Sequence, residues 1–434
     1  MKKPKVLMLG WEFPPVINGG LGVACHDLCI AMSKHAKVTM IIPKSNPDFK
    51  VNDLNLIGLD TIDSRTLKHV NYKDDYKTFE DVHFIPSDLN PYYTERKSDF
   101  KIPGVDIRSQ YMKEIEVGSR KAKVFHIDDL YGGDVIEKVT VFGKLAARLA
   151  LTLDFDIIHA HDWMTMLAGI EIKKKTGKPL FVHIHSLEVD RGGVNSKGWV
   201  YQMEKHGMES ADVLMPVSNF TGEVIKQYYG IPENKIFTVH NGIRAVEPFK
   251  TKSPYREKVV LFIGRLTRQK GPEYFVEIAS KVLEHNPDVR FIVAGTGDMQ
   301  NKILEKVAHK KIGNRFHIAG FLGLDKVRYL LSIADAYCMP SVSEPFGLSA
   351  VEAVQFGIPA VISKQSGVAE VLSGSLKFDF WDTHRAAEYL LQVLSNKTLK
   401  QQVVEDANEN LKNISWETAA KRVIDGYKKY GQVK

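Results

Sequence analysis

Two carboxylates and two cations carry the chemistry this sequence suggests. Glu344 and Glu352 lie in Pro340-Ser341-Val342-Ser343-Glu344-Pro345-Phe346-Gly347-Leu348-Ser349-Ala350-Val351-Glu352-Ala353, with seven residues between them. The apolar run Ala336-Tyr337-Cys338-Met339 before them reads as a strand. Pro345 and Gly347 break it, and a helical pattern follows. Glu344 therefore belongs on a loop past a strand's C-terminal end, and Glu352 about one turn into the next helix. The helix start at Gly347 and Leu348 offers free backbone N–H groups to an anion. Carboxylates on either side of an anion site suit a ligand with phosphate in its middle and hydroxyls at both ends, as in a sugar nucleotide. An arbitrary Glu pair is more often two solvated acids; the surrounding residues reverse that expectation.

The cations sit in Gly264-Arg265-Leu266-Thr267-Arg268-Gln269-Lys270-Gly271, after another strand-like run. Arg265 gives bidentate contacts to phosphate oxygens and Lys270 a compact charge, so the two suit a departing diphosphate. Arg268 reads as a solvated loop cation. Asn18-Gly19-Gly20-Leu21-Gly22 follows the first strand and opens a helix. Gly19 and Gly20 let backbone approach an anion closely, although the spacing is not that of the dinucleotide fingerprint and a glycine turn without ligand accounts for it equally. Gly295-Thr296-Gly297-Asp298 is either a close approach to a base or ribose, or a tight strand–helix turn. His159-Ala160-His161-Asp162-Trp163 and His183-Ile184-His185 are strand-end H-x-H pairs. Each pair shares a strand face, but neither has a third ligand at suitable spacing. His161 thus fits a hydrogen bond to a sugar hydroxyl better than a metal. Asp154-Phe155-Asp156 precedes its strand, at the wrong end for such a site.

These groups need a frame that brings strand ends together. Short apolar runs alternate with amphipathic ones. The strand expectations are Val6–Leu9, Val38–Ile42, Val124–Ile127, Ile157–His159, Leu180–Ile184, Val213–Val217 and Phe237–His240, then Val259–Gly264, Phe291–Gly295, Phe316–Gly320, Ala336–Met339 and Ala360–Ser363. Helical patterns such as Gly271–His285 and Asp325–Ile333 fill the gaps. This is the signature of α/β architecture, with parallel sheets covered on both faces and ligands beyond the strands' C-terminal ends. Two such series imply two doubly wound, Rossmann-like domains facing a cleft, at 1–243 and 256–415. Ala245–Lys258 reads as the linker, and 45–118 as a polar, irregular excursion at the cleft.

At 434 residues the chain exceeds one compact core. Its 44% hydrophobic and 26% charged residues are those of a soluble globular protein. The net charge of +7 suits an anionic ligand and at most peripheral membrane contact. The cationic runs are short and lack interleaved aromatics, which argues against nucleic acid. Cys25, Cys29 and Cys338 are an odd number in a long chain, favouring reduced thiols and the cytoplasm. The first ten residues lack the apolar length of a signal peptide, and no segment reaches membrane-spanning length.

The ordered set Gly19-Gly20-Leu21, His159–Trp163, Val217-Ser218, His240-Asn241-Gly242, Gly264–Gly271 and E-x7-E resembles the retaining glycosyltransferases of the GT-B fold. The match is to glycosyltransferase family 4, leaning toward bacterial glycogen and starch synthases through Trp11-Glu12-Phe13-Pro14-Pro15, the His159–Trp163 run and the Asp128–Ala150 stretch. The resemblance covers nearly the whole chain, and it makes Trp416–Tyr430 a helix that returns to the N-terminal domain. It implies a hexosyltransferase that uses a nucleotide-sugar donor, ADP- or UDP-glucose, with a growing α-1,4-glucan as acceptor. It also implies roles. Arg265 and Lys270 bind the diphosphate, Glu344 the sugar hydroxyls and Glu352 the ribose. Gly20 places backbone by the phosphate, and His161 lies by the transferred sugar. No metal or other cofactor is implied, because fixed cations and helix ends neutralise the leaving nucleotide. One departure is Ile17, where bacterial glycogen synthases usually carry Lys. It favours a family 4 enzyme with a glucan-like acceptor, and leaves open a cell-surface polysaccharide, lipid-linked or small-sugar acceptor. The rival from another class is a non-catalytic carbohydrate-binding protein on the same fold, which has no need of diphosphate cations.

Overall fold

The computed structural model describes residues 3–16, 20–46, 48–49, 51, 53–67, 109–117 and 120–431. Gly19, Ile17 and most of the 45–118 excursion lie outside the described residues.

The first domain carries β1 (Lys5–Leu9), α1 (Gly20–Ser33), β2 (Lys37–Ile42), β3 (Leu54–Gly58), β4 (Met112–Val117), β5 (Arg120–Phe125), α2 (Val135–Ala150), β6 (Ile157–His161), α3 (Trp163–Thr176), β7 (Leu180–Ile184), α4 (Glu188–Gly192), α5 (Trp199–Ser210), β8 (Val213–Pro216) and α6 (Asn219–Val224). The second carries β9 (Lys258–Ile263), α7 (Pro272–His285), β10 (Val289–Ala294), α8 (Gln300–His309), β11 (Phe316–Gly320), α9 (Leu324–Ile333), β12 (Ala336–Met339), α10 (Leu348–Gln355), β13 (Ala360–Ser363), α11 (Val368–Val371), β14 (Leu376–Phe378), α12 (Thr383–Ser395) and α13 (Lys397–Leu411), before the terminal α14 (Trp416–Tyr430).

Each domain holds a six-stranded parallel sheet. The orders are β3-β2-β1-β6-β7-β8 and β11-β10-β9-β12-β13-β14. Both are the doubly wound 3-2-1-4-5-6 arrangement once the β4–β5 hairpin is set aside. The central strands are apolar on both faces, as helix-covered parallel strands must be; every residue of β6 and β7 is buried. Two apolar clusters flank each sheet. On one face of the first sheet, α14 sets Ala420, Val423 and Tyr427 among Cys25, Leu28 and Met32 of α1. Ser415 caps α14 by accepting from Thr418 N–H at 3.0 Å.

Two strand expectations fail for identifiable reasons. The strand expected at Val124–Ile127 is β5, shifted upstream and paired antiparallel with β4 outside the main sheet. Phe237–His240 is extended but forms no strand: Phe237 and Val239 N–H donate to Leu214 and Pro216 carbonyls beside β8 without continuing a ladder. Short edge strands β3 and β14 were not anticipated. The 245–257 stretch has no helix or strand.

Candidate active site

The doubly wound order fixes where a site forms. In the second sheet β9 and β12 are neighbours, so 264–271 and 340–347 leave the sheet side by side at its switch point, where ligands of such folds bind. Backbone contacts lock the two loops together. Val342 N–H donates to Gln269 O at 2.9 Å. Gly271 has φ +66°, and a Cβ there would stand 2.1 Å from Pro340 O, so only glycine permits the approach. The result joins two residues 74 apart in sequence: Lys270 Nζ donates to Glu344 Oε2 at 2.5 Å. Ser341 Oγ donates to the same oxygen at 3.2 Å. The Glu344 side chain is 7% exposed and that of Lys270 21%. Glu344 is also held by its backbone, which accepts from Gly367 N–H and donates to Gln365 O, each at 2.9 Å.

Helix α10 begins at Leu348 with Gly347 at its N-cap, directly after this loop. Glu352 lies in its second turn, partly buried. Burial raises its carboxyl, with Arg328 opposing. Arg265 is exposed on the 264–271 loop. Gly295 and Gly297 serve packing of that loop: Cβ atoms there would meet Gly264 O at 1.9 Å and Leu266 O at 2.4 Å.

In the first domain Gly20 opens α1 and is exposed. His161 ends β6, wholly buried. Its Nδ1 stands 3.0 Å from His185 Nε2, while its Nε2 has no partner. The following Asp162 accepts from His185 N–H at 2.7 Å. Burial raises the Asp162 carboxyl to about 7.

The domains meet through residues that sequence reasoning missed. Ser343 Oγ, next to Glu344, donates to Asp190 Oδ1 of α4 at 2.5 Å. Arg191 anchors α4 by bonding Glu204 at 2.9 Å and Glu188 at 3.3 Å. Both Glu204 oxygens also accept from Glu188 N–H. Arg268 is not merely solvated: its guanidinium lies over Gly193 at the end of α4. Glu370 accepts from Asn219 and Phe220 N–H at the start of α6, at 3.0 and 2.5 Å, and from His240 Nε2 at 2.9 Å. The charged run Glu188-Val189-Asp190-Arg191 followed by two glycines, directly after a strand, was a usable signal for α4. Glu370 carried none.

Residues 5–237 match the starch synthase catalytic domain family, more than half the chain, and 244–410 match glycosyl transferases group 1. This chain belongs to the starch synthase family of glycosyltransferases. It is 25% identical to an uncharacterized glycosyltransferase of Methanocaldococcus jannaschii, with 98% of each chain covered. It is 24% identical to a glycogen synthase of Mycobacterium tuberculosis over 98% of this chain and 94% of that one. The catalytic domain of starch synthase IV from Arabidopsis thaliana, bound to ADP and acarbose, superposes with a TM-score of 0.65 at 16% identity, with 100% of each chain covered. The fold of this glycosyltransferase is GT-B. Among the described residues, no helix is long and apolar enough to cross a membrane.

Proposed function

We propose that this protein is a retaining glucosyltransferase that moves glucose from ADP- or UDP-glucose to the growing end of an α-1,4-glucan. The observation that carries this reading is the Lys270–Glu344 pair beside the start of α10 at the switch point. It sets a cation and N–H donors for a diphosphate next to a carboxylate for sugar hydroxyls. A carbohydrate-binding module has no use for the diphosphate cations.

In this reading Arg265, Lys270 and the N–H groups at Gly347 and Leu348 hold the diphosphate, and Glu352 takes the ribose. Glu344 accepts from hydroxyls of the transferred sugar. Gly20 lies by the phosphate, and His161 Nε2 faces the sugar. The acceptor hydroxyl oxygen attacks the anomeric carbon on the face from which the nucleotide departs. The anomeric carbon–phosphate oxygen bond breaks as the new glycosidic bond forms, and the leaving phosphate oxygen takes the acceptor proton. Configuration is retained, and no carboxylate acts as the hydrolase-type acid or base. Fixed positive charge stabilises the leaving group without a metal.

The test is nucleotide release from ADP-, UDP- and GDP-sugars with and without glycogen. Release that rises with glycogen for ADP- or UDP-glucose is expected. Slow release indifferent to glycogen would redirect the search to a lipid-linked or small-sugar acceptor. No turnover with any donor would leave the binding-protein reading.

A further inference from the structure

Pairing β6 with β7 places His161 opposite His183 and gathers four imidazoles beneath the cleft end of the first sheet. Spacing along the chain offered no third ligand; the neighbouring strand supplies it. His159, His161 and His183 each present a ring nitrogen within 4.8 Å of the other two. All three are buried. His159 Nε2 stands 3.3 Å from His183 Nδ1, and His161 Nδ1 3.0 Å from His185 Nε2. Two nitrogens on one tetrahedral zinc, with bonds of about 2.05 Å, stand about 3.3 Å apart.

Hydrogen bonding inside the cluster cannot satisfy it. In the His161–His185 contact one ring donates and the other accepts. The accepting ring then carries its own N–H on its far nitrogen, either His161 Nε2 or His185 Nδ1. Neither atom has a partner, and His183 Nε2 has none either. A buried donor left in this way is unfavourable. His159 has an outer partner as well: its Nδ1 lies 2.5 Å from the Tyr427 hydroxyl of α14, the kind of contact that orients a metal-bound imidazole.

We propose that His159, His161 and His183 form a transition-metal site of the zinc class, and that its occupancy inhibits the enzyme by engaging His161. Three imidazoles without a carboxylate select Zn2+, Co2+, Ni2+ or Cu2+ over Mg2+ or Ca2+. A second triad, Cys25, His161 and His185, also lies within 4.8 Å. It shares only His161 with the first triad, and substitutions at His183 and Cys25 separate the two. The metal is regulatory: the inhibition rests on the sugar-facing role proposed above for His161, and the transfer reaction itself needs no metal.

The experiment is calorimetric titration of chelator-treated full-length protein with Zn2+, alongside the visible spectrum of the Co2+-loaded form. One equivalent bound, with an intense tetrahedral Co2+ band, is expected. His183→Leu should weaken Zn2+ at least tenfold and abolish that band, and Cys25→Ser should leave both intact. Circular dichroism checks folding, and His183→Asn serves if the leucine variant unfolds. Absence of a stoichiometric site in the wild-type protein overturns the proposal. So does a site that survives His183 substitution or is lost with Cys25→Ser. Binding is read directly, so a wrong assignment of the transferase reaction cannot imitate failure here. Where turnover is measurable, Zn2+ should inhibit the wild-type enzyme and spare His183→Leu.

Discussion

Replacing the two members of the Lys270–Glu344 pair should separate folding from chemistry. Removing one partner of a buried ion pair costs about 3–5 kcal/mol because the other charge is left unsolvated. Here the Lys270 side chain is 21% exposed and that of Glu344 only 7%. Truncating the lysine therefore strands the more buried charge, and partial solvent access brings the cost of Lys270→Met to about 2 kcal/mol. Glu344→Gln differs. Its amide oxygen still accepts from Lys270 and from Ser341, so the stability loss is about 1 kcal/mol. The double variant has no stranded carboxylate, and the cycle should return a coupling of about 1–2 kcal/mol. Activity should not follow that order. If Glu344 binds sugar hydroxyls more tightly in the transition state, Glu344→Gln loses about 10²–10³ in kcat despite near-normal stability. The assays are urea unfolding for all four proteins and nucleotide release with glycogen at saturating donor. A Glu344→Gln enzyme within threefold of wild-type kcat refutes the role given to this carboxylate. Zero coupling in the cycle refutes the energetic reading of the pair.

Two further outcomes follow from contacts elsewhere. Glu370→Ala removes three acceptor contacts joining the second domain to α6 and His240; it should lower kcat and raise donor KM together, as loosened closure does, and faster limited proteolysis near residue 240 would report it. Asp27 bonds Arg244 through both carboxylate oxygens; burial raises its carboxyl, but His26 and Arg244 outweigh that and hold it below the ordinary 3.8. Its contribution is thus fully present above the unfolded value and is lost as pH falls through the folded one, so the stability gap between wild type and Asp27→Asn, read by thermal unfolding from pH 6 to pH 3, should shrink below about pH 4.

What the sequence disclosed and what it concealed divide along a physical line. Central strands such as β6, β7, β9 and β12 were legible because a strand covered on both faces must be apolar throughout. The E-x7-E stretch was legible because Pro345, Gly347 and the helical pattern after them fix where a loop ends and a helix begins. Edge strands β3 and β14 gave little signal: β3 is mostly part-exposed, and β14 is only three residues long. Concealed above all were pairings across strands and domains. Nothing near Lys270 names Glu344 as its partner; the parallel pairing of β9 with β12 does. Nothing near His161 names His183; the pairing of β6 with β7 does. Nothing near Glu370 names α6, whose open N–H groups it reaches from the other domain. The first pairing follows from a switch point, whereas the second joins adjacent strands of one sheet and the third crosses between the domains. A doubly wound sheet sets strands distant in sequence side by side at its switch point, so residues ending those strands meet in space whatever their separation along the chain. The residues were in view from the start, and the topology determined their company. For the acidic pair that company points to nucleotide-sugar chemistry. For the histidines it points to a metal.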